Sequence, residues 1–136
     1  MAKENGIGMS VTVDDSGGVA RDISNDITSI NFSTPRGVQD ITGLDKSAIE
    51  RILLLADGNM TINGVFNDAA NKSHDTFKTV PTQTATVTRT VVIVVSGQTL
   101  TMEMVFTDYA LARGQDGSLT WSAPGVLANG TAPTWS

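Results

Sequence analysis

"ATVTRTVVIVVSGQTLTMEMVFTDY", residues 85–109, decides the fold class. Two long runs rich in β-branched residues flank the turn-forming "SGQ", the pattern of a β-hairpin. In the first run Val87, Arg89, Val91, Ile93 and Val95 share one side, with Thr86, Thr88, Thr90, Val92 and Val94 on the other. In the second, Leu100, Met102, Met104 and Phe106 oppose Thr99, Thr101, Glu103, Val105 and Thr107. Each arm reads as about ten residues, longer than the usual strand of 5–6. Met102 and Met104, beside Leu100 and Phe106 at strand spacing, read as core and not as a soft-metal site. Valines on the polar side of both arms point to some burial of both faces, and the edges of such strands invite pairing with another chain.

Other segments extend the pattern. "GMSVTVDD" (8–15) alternates with period two, "DDSGG" (14–18) turns, and "VARDI" (19–23) returns. "ITSINFST" (27–34), "NMTINGVF" (59–66) and "GSLTWSAPGVL" (117–127) read as further strands. "LDKSAIERILLLADG" (44–58) reads as the single helix: Ile49, Ile52, Leu53 and Ala56 fall at helical spacing. Asp45 would cap it, Thr42 and Asp45 have capping-box spacing, and Gly58 would end it in a left-handed turn. "NDAANKSHDTFKTV" (67–80) is polar and weakly helical after a Ser73 cap, an exposed excursion. Seven or eight strands with one non-alternating helix predict a mainly β chain: a β-sandwich or barrel with one flanking α-helix. Residues 1–136 form one domain, with a flexible N-terminal arm at about 1–7 and a C-terminal arm at about 129–136.

The chain has 136 residues, 14 acidic against 9 basic, a net charge of −5, and no cysteine. Disulfides and thiolate metal sites are excluded, which fits a reducing compartment. The basic residues form no stripe, so a DNA clamp is excluded. The N-terminus lacks an apolar run and no apolar stretch approaches the ~20 residues that span a bilayer. The expectation is a soluble protein with no membrane partner.

No catalytic, metal or cofactor-binding motif appears. His74 is the sole histidine. In "SHD" (73–75) consecutive side chains diverge and cannot form a relay, so His74 reads as a surface-loop residue. Four glycosylation-like tripeptides, at Asn31, Asn59, Asn71 and Asn129, read as polar turns and strand edges.

Taken in order, "DITGLDKSAIERILLLADGNMTINGVFND" (40–68), "SHDTFKTV" (73–80), the hairpin of 86–109 and "DGSLTWSAPGVLANGTAPTWS" (116–136) resemble the tail tube (major tail) proteins of long, flexible, non-contractile-tailed bacteriophages. The likeness runs from about Gly8 to Ser136. It implies a structural virion protein, not an enzyme, without cofactor, assembled in the host cytoplasm. Hexameric rings would stack into a hollow tube, with the long hairpin contributing to an intersubunit β-barrel. The partners implied are copies of itself, a tape measure protein and tail terminator or distal tail proteins, with DNA passing through the lumen without specific binding. Thr99, Thr101, Glu103 and Thr107 would then face the lumen, where acidic character repels DNA phosphates. For Glu103 an ion pair with Arg89 across the hairpin is the alternative. Trp121 is expected in the subunit's own core and Trp135 as an anchor into a neighbour, because buried aromatics dominate interfaces. Two other functions stay open: the tube of a contractile tail or injection system, and a monomeric β-sandwich adhesion or decoration module.

Overall fold

Hydrogen-bond pairing of the long hairpin organises the chain. In the computed structural model, which describes residues 3–136, β7 (Arg89–Val95) and β8 (Gln98–Phe106) pair from Arg89↔Met104 to Val95↔Gln98. The turn between them is Ser96–Gly97, both at positive φ (49° and 79°). That is the twist a two-residue hairpin needs. Residues 84–87 form a turn before β7, so the first arm is shorter than its β-branched run suggests.

Around this hairpin lie β1 (Ser10–Asp14), β2 (Ala20–Asp22), β3 (Ile27–Ser33), β6 (Asn59–Val65), β9 (Ala110–Arg113), β10 (Leu119–Leu127) and β11 (Thr134–Trp135). All pairings are antiparallel, in the order β2-β1-β7-β8-β10-β6-β3, with β9 on β10 and β11 on β8. Strands β2 and β3 stand at opposite ends of this order, yet only the short 3-10 turn Ser24–Asp26 and its flanks join them. Laid flat, six interstrand steps of ~4.8 Å would separate them by about 29 Å. The five residues from Asp22 to Ile27 reach at most about 18 Å. The sheet therefore rolls on itself, although β2 and β3 do not pair and the roll stays open.

The roll encloses one apolar core. Val11 and Val13 of β1, Met60 and Ile62 of β6, Val91 and Ile93 of β7, Leu100, Met102, Met104 and Phe106 of β8, and Trp121 are buried in it. The faces read from the 85–109 alternation are the faces observed. Trp121 lies in this core, its indole N–H donating to the Val65 carbonyl. Gly64 is required beneath it, since a Cβ there would meet the Asp26 carbonyl and the Trp121 ring.

The expected helix at 44–58 is overturned. Residues 51–56 are a strand, β5 (Arg51–Ala56), paired with β4 (Arg36–Asp40) in a separate two-stranded hairpin. An apolar run such as "ILLL" satisfies both the helical and the extended period, so the pattern alone does not choose. Local bonds decide it. The Thr42 N–H donates to Asp40 Oδ1, the Glu50 N–H to Thr42 Oγ1 and the Ile41 N–H to the Glu50 carbonyl. Thr42 thus closes a hairpin loop instead of capping a helix. Gly58, read as a helix end, sits in the link to β6 and accepts from the Leu127 N–H.

The helix that flanks the sheet is α1 (Ser73–Phe77), followed by a 3-10 turn (Val80–Thr82). Ser73 does not cap it by its side chain. The Ser73 N–H is satisfied from a distance by buried Asp26, which also accepts from Asn67 Nδ2. Phe77 inserts into the core against Phe106 and Trp121.

Candidate assembly surfaces

Three surfaces stand out beyond the core: the outer face of the roll, its C-terminal margin and the β4–β5 hairpin. Registers place Ser10, Thr12 and Asp14 of β1, Thr90, Val92 and Val94 of β7, and Thr99, Thr101, Glu103 and Val105 of β8 on the side away from the core. On the other half the same side carries neutral hydroxyls and amides, among them Asn31, Thr61, Asn63, Thr120 and Ser122. Among the described residues, no lysine or arginine of the rolled sheet's strands lies on this face; its charges are the carboxylates Asp14, Asp22 and Glu103. Thr107 lies just beyond β8, exposed, its N–H donating to the Pro124 carbonyl.

The proposed Glu103–Arg89 pair does not form, because adjacent cross-strand positions of opposite parity point to opposite faces. Glu103 instead accepts from Thr88 Oγ1 (2.7 Å) and Thr90 Oγ1 (2.6 Å). Arg89 is fully buried on the core side. It donates to the carbonyls of Asp14 and Thr76, to Thr79 Oγ1 and to Gln83 Oε1, with Phe77 beneath its guanidinium. This one side chain ties the 73–83 excursion to β1 and β7. Partial burial pushes the Asp14 carboxyl above its ordinary value, hydrogen bonds from Thr90 oppose the shift, and nearby Glu103 and Asp15 add to it. Asp22 moves the other way, held down by the Ser24 hydroxyl.

His74 is not in a surface loop. It lies on α1, half-buried, its ring tilted 48° against Phe66 (4.8 Å between centroids), with Nδ1 3.2 Å from the Tyr109 hydroxyl. Burial, and secondarily Asp26, pushes Tyr109 up to about 12.

The C-terminal segment turns back along β8. Thr134 pairs with Thr101 and Trp135 with Leu100, and Ser136 exchanges two backbone bonds with Thr99. Trp135 remains 53% exposed beside Glu4, Val95 and Gln98. Residues 3–6 of the N-terminal arm have no helix or strand, and residues 1–2 lie outside the described residues.

Hairpin β4–β5 is exposed on nearly every residue. Val38 and Leu53 occupy one of its faces and Ile41, Ile52 and Leu54 the other, while Leu55 lies at the register shift opposite Arg36–Val38. Sequence reading missed this hairpin, strand β9 and the β11 pairing. Only the hairpin had a signal, the Asp40–Thr42 turn chemistry ahead of an apolar run.

No family model and no curated protein matches this chain. Solved structures do match. One is the tail of an empty gene transfer agent particle with C6 symmetry: TM-score 0.75, 18% identity, 98% of this chain and 99% of that one. This chain has the fold of those tail proteins. A second match, in the virion of a native gene transfer agent particle, has a TM-score of 0.71 at 16% identity, with 98% and 99% covered. At such identities the likeness establishes the mainly β architecture over the full length.

Proposed function

We propose that this chain is the tube subunit of a phage-like tail, a structural virion protein that acts by assembling with itself. The observation that carries the reading is fold agreement over 98% of this chain with a chain of a C6-symmetric particle tail. In this reading six copies close a ring, rings stack into a hollow, non-contractile tube, and genomic DNA passes through it to the host. Assembly takes place in the host cytoplasm around a tape measure protein and ends against terminator and distal tail proteins.

The outer face supports the reading chemically. A bore for DNA must not bind phosphates, and fixed cations would do so through counterion release. The side bearing Thr99, Thr101 and Glu103 carries hydroxyls, carboxylates and valines and, among the described residues of the sheet's strands, no lysine or arginine, and Thr107 extends it. We assign these four residues to the lumen. Trp135, half-exposed at the margin of β8, is the anchor toward a neighbouring copy.

Negative-stain electron microscopy of the purified chain at rising concentration tests this. Hollow tubes with sixfold end views are expected. Compact single particles at every concentration and salt, together with absence of the chain from particles, would remove the proposal.

A further inference from the structure

Asparagine precedes glycine at three places, Asn5–Gly6, Asn63–Gly64 and Asn129–Gly130. An asparagine carboxamide reacts with the backbone nitrogen that follows it when that nitrogen is uncrowded, and glycine, lacking a Cβ, leaves it so. The structure separates the three. At Asn129 the side chain folds forward: Oδ1 accepts from the Thr131 N–H at 3.1 Å, closing a ring that contains the Gly130 nitrogen. Asn129 and Gly130 are exposed, both at positive φ (63° and 76°). Asn5, also exposed, repeats the arrangement, with Oδ1 accepting from the Ile7 N–H at 3.0 Å around Gly6. Attack on Cγ puts negative charge on Oδ1, and in both places a backbone donor already points at that oxygen.

Two other asparagines supply the contrast. Asn63 lies within β6, its Nδ2 donating to Ser29 Oγ, and Gly64 is buried in the ladder between Trp121 and Ile27. In that register the Phe66 N–H donates to the Leu119 carbonyl. The Gly64 nitrogen, two residues earlier, faces the same strand and is held there. Asn67 has the donor, the Ala69 N–H at 3.0 Å, but Asp68 follows it and its Nδ2 is tied to Asp26. Among the described residues, Asn5 and Asn129 alone combine the glycine, the open approach and the donor. We propose that both are sites of spontaneous deamidation in the folded chain. The glycine nitrogen bonds to Cγ, Nδ2 departs as ammonia with the glycine N–H proton, and water opens the cyclic imide to aspartate or isoaspartate. Each event turns a neutral amide into a carboxylate, so two events take the chain from −5 to −7. Both charges fall at one margin: Asn5 follows Glu4, which lies beside Trp135, and Asn129 opens the segment that returns Trp135 to β8.

Ageing the purified chain at mildly alkaline pH, followed by peptide mapping with mass spectrometry, tests this. Aspartate and isoaspartate are expected at positions 5 and 129, with one ammonia released per event, while Asn63 and Asn67 remain amides. In chain held unfolded in urea, Asn63 should convert as readily as the other two, since the fold alone protects it. Gly6→Ala is the clean variant, because a Cβ there meets no atom within 4 Å. It should leave melting unchanged and slow conversion at Asn5 at least roughly tenfold, by crowding the nitrogen off its line of attack. Asn5 or Asn129 still intact in the folded chain once the unfolded chain has converted would overturn the proposal. So would conversion of folded Asn63 at the unfolded rate, or an unchanged rate at Asn5 in Gly6→Ala, which would point to direct hydrolysis. None of these outcomes depends on whether the chain forms tubes.

Discussion

Two hairpins in this molecule are built from similar residues and meet opposite fates. In β7–β8, apolar residues recur every second position, so one face enters the core and the other carries threonines and Glu103. In β4–β5 the apolar residues are consecutive, so neither face can be satisfied by a single core, and the hairpin stands apart from the sheet. Alternation encodes a boundary between inside and outside within one chain. Its loss, in a strand that remains exposed, leaves apolar side chains that this chain's own core does not cover.

The sharpest way to break this contrast is at the root of the first hairpin. Arg89→Ala removes four donated hydrogen bonds and leaves buried acceptors without partners. It should cost at least about 3 kcal/mol in denaturant unfolding, since a hydrogen bond from a charged donor contributes ~1.5–3 kcal/mol and the acceptors left behind are buried. It should also raise amide exchange across 73–83, and unchanged exchange there would refute the tying role of Arg89. Next comes a matched pair. Leu100→Ala, at a fully buried site, should cost about 2–5 kcal/mol. Leu55→Ala should shift the unassembled chain by less than about 0.5 kcal/mol. Equal losses would mean that β4–β5 is packed within the monomer after all.

Deleting 129–136 uncovers the β8 edge at Thr99–Thr101 and removes Trp135. The unassembled chain should lose on the order of 1 kcal/mol, a few net hydrogen bonds at an exposed margin, while tube formation should fail. Normal tubes from the truncated chain would disprove the anchor. The smallest effect concerns Asp14. Its folded-state value is raised, so the protonated form is favoured by folding; that contribution is present below the ordinary carboxylate value and lost as pH rises through the folded one. Asp14→Asn should therefore raise the melting temperature slightly at pH 7 and leave it unchanged near pH 3. Asp22, with its value lowered, follows the reverse course and loses its contribution on acidification.

Most of the rolled sheet was legible because its strands alternate. Val11 and Val13, Met60 and Ile62, and the β8 residues announce which side is buried, and the structure buries that side. The 44–58 segment was misread because helix and two-sided strand both place apolar residues at i, i+3 and i+4 when the run is continuous. The deciding bonds come from Asp40 and Thr42, outside the run. The ionic partner expected for Glu103 failed on parity: Arg89 and Glu103 sit at positions of opposite facing. The start of α1 was illegible for a different reason. Its backbone donor is met by Asp26, 47 residues away, and no local pattern announces a bond that the fold alone brings together.

The brief corner from Asp22 to Ile27 has a mechanical consequence. By spanning what would be opposite margins of the sheet with five residues, it fixes how tightly the wall curls and leaves little slack for it to open or flatten. In the tube proposed above, a stack of such stiff blocks would flex only where one block meets the next. Its pliancy is therefore set by the joints, not by the bricks.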